Sequence, residues 1–207
     1  MLGVPLSPHV VARLVLYLKE LLRWNAKINL TGIATETEII PKQFLDSLAA
    51  CKVFDPRPGL RVLDIGTGAG FPGLVLKLHA PDLAVTLLEP STKKAAFLHH
   101  LIGLLGVPGL TVSTDRIEDF EKEKGFHLVT SRAVRADVIT DAAPRLLAPG
   151  GRVLLYRVSA MQETPPGYTI VRQSSFTLPF TDIHRTVTLL KLTTDVSPSE
   201  FTAFLVR

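Results

Sequence analysis

The sequence predicts a doubly wound α/β fold: a mostly parallel sheet with helices on both faces, preceded by a helical extension and finished by an antiparallel hairpin. Three observations carry this. Hydrophobic periodicity is helical over the first 58 residues, and from Leu60 it becomes a series of short apolar runs separated by helical segments. Such β-α-β alternation requires parallel strands joined by helical crossovers. Beyond Pro165-Pro166-Gly167, two strand-like runs follow each other with no helix between them, so they should pair antiparallel.

The elements can be placed in order. Ser7 is a helix N-cap and Pro8 fits the first helical position, where its missing N–H costs nothing. Val10, Val11, Leu14, Leu18, Leu21 and Leu22 then form the expected apolar stripe. A loop spans Asn29-Leu30-Thr31-Gly32. Thr35 with Glu38 reads as a capping box for a second helix that ends before Pro56. Asp55-Pro56-Arg57-Pro58-Gly59 marks a boundary, giving an extension over 1–58 and a main domain over 59–207. Strands are expected at Leu60–Ile65, Val85–Leu88, Leu110–Ser113, Phe126–Thr130 and Arg152–Tyr156. Helices are expected near Pro72–His79, from Ser91 to Gly106, and over Asp137–Leu147. The closing hairpin would be Tyr168–Phe176 with Thr186–Leu192.

Composition bounds the function. The 207 residues carry 23 Lys+Arg against 19 Asp+Glu, a net charge of +4, and the excess is spread along the chain. That permits a polyanionic partner without demanding one. One cysteine, Cys51, excludes an internal disulfide framework and fits a reducing compartment. No apolar run spans a bilayer, and no secretory signal opens the chain. A soluble, cytoplasmic protein without membrane association is expected. The six histidines show no metal-ligand spacing, so no metal is expected.

The densest chemical signal is Asp64-Ile65-Gly66-Thr67-Gly68-Ala69-Gly70-Phe71-Pro72-Gly73, directly after the first strand. Glycines allow a sharp turn and close approach to a ligand. The following helix N-terminus can offer N–H groups to a carboxylate. Asp64 can meet a ligand ammonium group, directly or through water. Glu89, ending the second strand, can hold ribose hydroxyls. Both NAD and S-adenosylmethionine satisfy this much. Two features favour the methyl donor: the Asp64-x-Gly66-x-Gly68 order, and a second acid, Glu118, after the third strand. Glu118 can accept from an adenine amino group, while Ile117 offers its N–H and apolar side chain to the ring. A doubly wound sheet closed by an antiparallel hairpin is also, by analogy, the Rossmann-like architecture of class I methyltransferases.

Four segments narrow the reading: Trp24-Asn25 with Asn29-Leu30-Thr31, Phe44-Leu45-Asp46-Ser47, the stretch Asp64 to Gly73, and Ser131-Arg132-Ala133. Together they resemble the GidB family, also called RsmG, the bacterial 16S ribosomal RNA guanine-N7 methyltransferases. The resemblance spans roughly residues 20–155. It implies S-adenosylmethionine as donor, and 16S ribosomal RNA or the small ribosomal subunit as partner to a monomer. It implies donor-site roles for Gly66, Phe71, Ile117, Glu118 and Arg132, beside Asp64, Gly68 and Glu89 above. Arg132 would orient guanine or its phosphate and border the donor.

Two positions depart from the family pattern. Gln43 stands where a histidine is usual, and Arg157-Val158 where Lys-Gly is usual. Guanine N7 carries an in-plane lone pair and no proton, so attack needs no general base. In keeping with this, the fourth strand is not followed by the Asp-Pro-Pro-Tyr-like segment used on exocyclic amines. Arg13, Lys19, Arg23, Lys27, Lys93, Lys94 and Arg135 would together form one basic wall of an RNA groove. A methyltransferase acting on another RNA or a small molecule, and a nucleotide-binding Rossmann module without chemistry, are the competing readings.

Overall fold

A computed structural model describes residues 2–120 and 125–193; the C-terminal Ser197–Arg207 stretch lies outside them. The helix α1 (Pro8–Ile28) begins as its sequence dictates, with Ser7 accepting a bond from the Val10 N–H at 3.3 Å and Asn29 closing it in the left-handed region. Its buried face is Tyr17, Leu18 and Leu21. Val11, expected on that stripe, is 43% exposed, because the face turns toward Tyr17. The second helical region is less regular than a single helix. It runs as α2 (Glu36–Ile39), a π-helical turn at Ile40–Leu45, α3 (Asp46–Leu48) and a 3₁₀ turn at Ala49–Lys52. Thr35 does not bond the backbone as a capping box requires; its hydroxyl donates to Glu38 Oε2 at 3.1 Å.

The sheet follows. Its strands are β1 (Arg61–Ile65), β2 (Ala84–Leu88), β3 (Leu110–Ser113), β4 (Phe126–Ser131), β5 (Leu147–Arg157), β6 (Tyr168–Thr177) and β7 (His184–Leu192). The helices α4 (Gly73–His79), α5 (Thr92–Leu105) and α6 (Ala136–Leu146) connect them. The strand order is β3-β2-β1-β4-β5-β7-β6. The first five strands are parallel; β7 runs antiparallel to both β5 and β6, as the missing crossover requires. β5 starts earlier than Arg152, because Leu147 already pairs with Phe126 and the register then shifts past Pro149-Gly150-Gly151.

Alternating strand residues feed two cores. Val62, Val85 and Leu87 face α4, α5 and the N-terminal helices. Leu63, Ile65, Val129 and Val153 face α6. The N-terminal helices therefore share a core with the sheet. Tyr17 joins them most directly. It is fully buried, stacks on Phe71 with ring centroids 5.1 Å apart, and its hydroxyl donates to the Ala69 carbonyl in the glycine turn.

Removing that hydroxyl leaves a buried carbonyl without its donor. Tyr17→Phe should therefore lower unfolding stability by about 1–3 kcal/mol. Chemical denaturation would check this, and an unchanged midpoint would contradict it.

Candidate donor and acceptor site

Strand order reverses between β1 and β4, where β1 leads to β2 on one side and β4 to β5 on the other. In such sheets the crevice at the carboxyl ends of the strands receives the ligand. Asp64 lies near the end of β1 with the glycine turn after it, and Ser131 ends β4 with Arg132 next, so the two strongest motifs flank this crevice.

The turn is built around Asp64, which is 0% exposed. Its Oδ2 accepts from the Thr67 hydroxyl at 2.5 Å and from the Gly73 N–H at 2.7 Å. Its Oδ1 is buried with no partner. Burial pushes the carboxyl up to about 7, against the opposing pull of these two bonds. The first N–H of α4 is thus not free for a ligand carboxylate, contrary to expectation; Asp64 takes it. Gly66, Gly68 and Gly70 have φ of 67°, 62° and 106°, which L side chains rarely adopt. A Cβ at Gly66 would lie 2.6 Å from Val134, and one at Gly70 would lie 2.6 Å from the Tyr17 hydroxyl. At Gly68 a Cβ would meet nothing within 4 Å. Gly68 therefore faces open space, whereas its neighbours are packed from behind.

Glu89 is buried and tied to the same turn. Its Oε2 accepts from the Gly68 N–H at 2.9 Å and its Oε1 from the Ser91 N–H at 3.0 Å. Ile117 and Glu118 lie beyond β3, on the same edge two strands away. Arg145 of α6 pins this loop by donating to the carbonyls of Ile117 and Phe120, the latter at 2.7 Å. Ile117 is half-buried and Glu118 exposed. Among the described residues, neither side chain forms a hydrogen bond or ion pair with the glycine turn.

Phe71 is 4% exposed and sits inside an aromatic group with Tyr17 and Phe44. The Arg132 guanidinium lies 5.4 Å above its ring. Arg132 is held from several directions. Its Nη1 donates to the carbonyls of Lys42 and Gln43 at 3.0 and 3.2 Å, and lies 3.5 Å from Asp46 Oδ2. Its Nη2 donates to Gln43 Oε1. Gln43 in turn donates to Thr31 Oγ1 at 3.4 Å, while Asn25 Oδ1 accepts from the Thr31 N–H at 2.9 Å. The Asn25, Thr31, Gln43 and Asp46 positions thus form one chain ending on Arg132.

Three members of this site escape sequence reasoning. Asp46 stands out there only as part of a motif. It is 1% exposed, and its Oδ2 also meets Arg185 of β7 at 3.4 Å while Oδ1 has no partner. Burial raises its pKa, and the two arginines oppose that rise. Arg185 and Tyr17 carry no local motif at all. Arg157 ends β5 half-buried, with its Nε lacking a partner. The basic wall is not continuous: Arg13 donates to the carbonyls of Leu105 and Gly106, Arg23 pairs with Glu20 at 3.0 Å, and Arg135 pairs with Asp137. Among the described residues, no group of three His, Cys, Asp or Glu side chains is placed to hold a metal, and no helix is long and apolar enough to cross a membrane.

Known proteins share both the sequence and the fold. The family model described as rRNA small subunit methyltransferase G matches residues 11–169. A ribosomal RNA small subunit methyltransferase G from Roseiflexus castenholzii is 40% identical over 167 residues, covering 78% of this chain and 70% of the relative. Its namesake from Geobacillus kaustophilus is 33% identical over 203 residues, covering 91% and 85%. Among solved structures, TrmN from Thermus thermophilus superposes with a TM-score of 0.59 at 19% identity, over 71% of this chain and 48% of that one. A methyltransferase from Thiobacillus denitrificans, solved with S-adenosyl-L-homocysteine, gives 0.57 at 13% identity, over 72% and 91%. The solved structures support the fold alone. The family match and the sequence relatives go further, and on them this chain belongs to the GidB family of rRNA small subunit methyltransferase G proteins.

Proposed function

We propose that this chain transfers a methyl group from S-adenosylmethionine to guanine N7 in 16S ribosomal RNA of the small ribosomal subunit. The observation that carries the donor assignment is the turn around Asp64. It joins a buried, partnerless carboxylate oxygen to an open face at Gly68, beside the buried acid Glu89. These groups fit an amino-acid-bearing nucleoside. Asp64 Oδ1 suits an ammonium group, and Glu89 suits paired ribose hydroxyls if its bond to Gly68 is exchanged. The Ile117–Glu118 loop suits an adenine edge. Residues 59–207 would form the donor-binding domain, with residues 1–58 an extension that supports it.

The bound donor supplies a methyl group on an electrophilic sulfonium. What the chain adds is position. N7 needs no proton removed, so the site requires orientation rather than a general base. Holding two reactants in line is worth at most roughly 7–11 kcal/mol of barrier. Arg132 is suited to this task because Asp46, Gln43 and two carbonyls restrain it. A restrained guanidinium on the rim loses little freedom when it meets a guanine edge or phosphate. We place the reaction in the cytoplasm, where this RNA is found.

Three outcomes are expected. Incubation with donor and 16S ribosomal RNA, naked or in assembled subunits, should yield 7-methylguanosine by nucleoside mass spectrometry. Methyl groups found only at other positions would contradict the assignment. Gly68→Asp should lower affinity for S-adenosylhomocysteine more than tenfold, on the order of 1.4 kcal/mol or more. Its melting temperature should fall modestly, because a φ of +62° strains any side chain even though this one meets no atom within 4 Å, so affinity is measured at a temperature where the variant is folded. Retained affinity would remove the turn from the site.

Asp64 should also make binding pH-dependent. Its carboxyl is raised to about 7 in the ligand-free protein, and a ligand ammonium favours its ionised form. S-adenosylhomocysteine should therefore bind up to roughly tenfold more tightly at pH 7.5 than at pH 6, releasing a proton. The sign for folding is opposite. Asp64 keeps the ligand-free protein more stable below its unfolded value near 4, and that stability is lost as pH rises through 7. Calorimetry across this range checks both; a flat or reversed affinity profile would contradict the role of Asp64.

A further inference from the structure

Contacts along α1 and α5 set them antiparallel in a definite register. Arg13 bonds the carbonyls at the end of α5, Glu20 lies 2.6 Å from His100 Nε2, and Trp24 packs on His100 and Phe97 with ring centroids 5.2 and 5.5 Å apart. Continued one more turn, this register brings Lys27 at the end of α1 beside Lys93 and Lys94 in the first turn of α5. The three lysines line a cleft of about 350 Å³ with Asn29 and Ser91. No acidic side chain lines it.

These lysines differ from the arginines near them, and Lys19 of α1, which also forms no ion pair among the described residues, does not line the cleft. Arg13 is spent on carbonyls, and Arg23 and Arg135 are each paired with an acid. Among the described residues, Lys27, Lys93 and Lys94 form no ion pair. Lys27 is far in sequence from the adjacent pair Lys93 and Lys94, so only the fold brings it to them.

The cleft's position is equally specific. Ser91, in its lining, donates its N–H to Glu89 Oε1, and Glu89 Oε2 accepts from Gly68 in the donor turn. The cleft therefore opens on the carboxyl rim of the sheet, close to the acid assigned to the ribose. Uncompensated cations facing one another repel, at a cost in stability unless a polyanion joins them. Lysine ammonium groups, with an asparagine amide and a serine hydroxyl, suit non-bridging phosphate oxygens rather than base edges.

We infer that this cleft binds a phosphodiester segment of the substrate RNA flanking the methylated nucleotide. The inference rests on the function proposed above and assigns a second contact on the substrate, separate from Arg132. Such a contact fixes the register of the strand without reading its sequence. Its strength falls steeply with salt, because each neutralised phosphate releases condensed counterions.

The test uses the full chain and a fragment of 16S ribosomal RNA. Lys27, Lys93 and Lys94 are replaced together by glutamine, with Lys191→Gln on the far end of β7 as a control. RNA binding is followed by fluorescence anisotropy over a salt series, beside methylation kinetics and S-adenosylhomocysteine affinity. The triple variant should show a slope of log affinity against log salt that is shallower by about 2–3. Its KM for RNA should rise roughly tenfold or more, with kcat and cofactor affinity nearly unchanged. The control should behave as the parent. An unchanged slope and KM would overturn the inference, as would a loss matched by equal loss of cofactor affinity. A parent protein that binds RNA through these lysines yet methylates no guanine would keep the cleft and overturn the proposed reaction instead.

Discussion

Asp64 holds the crevice together from inside. One oxygen binds both Thr67 and the first N–H of α4, which draws the intervening chain into a tight loop. The loop tolerates this only because Gly66, Gly68 and Gly70 occupy positive φ. Gly73 is equally constrained, since a Cβ there would stand 2.8 Å from the Asp64 carboxylate. The acid and the glycine that meets it are therefore one structural unit. The second oxygen, buried and unbonded, is the cost of this arrangement and also its chemical opportunity. A buried polar atom without a partner is the kind of group a cationic ligand can satisfy.

Around this centre, long-range bonds join parts of the chain that are far apart in sequence. Tyr17 reaches from α1 to the glycine turn. Gln43 and Asp46 reach from the irregular second helical region to Arg132, and Arg185 comes to the same Asp46 from the closing hairpin. Breaking one partner of such a buried charge group leaves the others uncompensated, so its members are held to one geometry. The N-terminal helices are in this sense part of the pocket wall. They lend it Tyr17 and Phe44 as packing and Asp46 as counter-charge.

The order of strands and helices along the chain is legible in the sequence because turn residues bound each strand and caps such as Ser7, Ser91 and Gly106 bound the helices. The glycine turn is legible for a similar reason: an apolar strand needs no glycines at two-residue spacing after it unless the backbone must turn sharply. What stays hidden is pairing across distance. Nothing local to Tyr17 marks it as the residue that meets Ala69, and Arg185 looks like any strand-end cation. Gln43, a departure from the family pattern, proves to bridge Thr31 and Arg132, which only the packed helices reveal. The second helical region reads from sequence as a single capped helix because its π-helical turn has no periodicity of its own. The basic residues mislead in another way. Composition counts charge, but only contacts show which charges are already neutralised.

Central to the proposed function is that the backbone from Asp64 to Gly73 encloses the amino-acid end of S-adenosylmethionine at the carboxyl rim. A crystal structure of the chain with S-adenosylhomocysteine tests this most directly. The ligand's ammonium group is expected within hydrogen-bonding reach of Asp64 Oδ1, directly or through one water, with the ribose against Glu89. Ligand density anywhere else, with Gly68 still bonded to Glu89 and the turn closed, would contradict it.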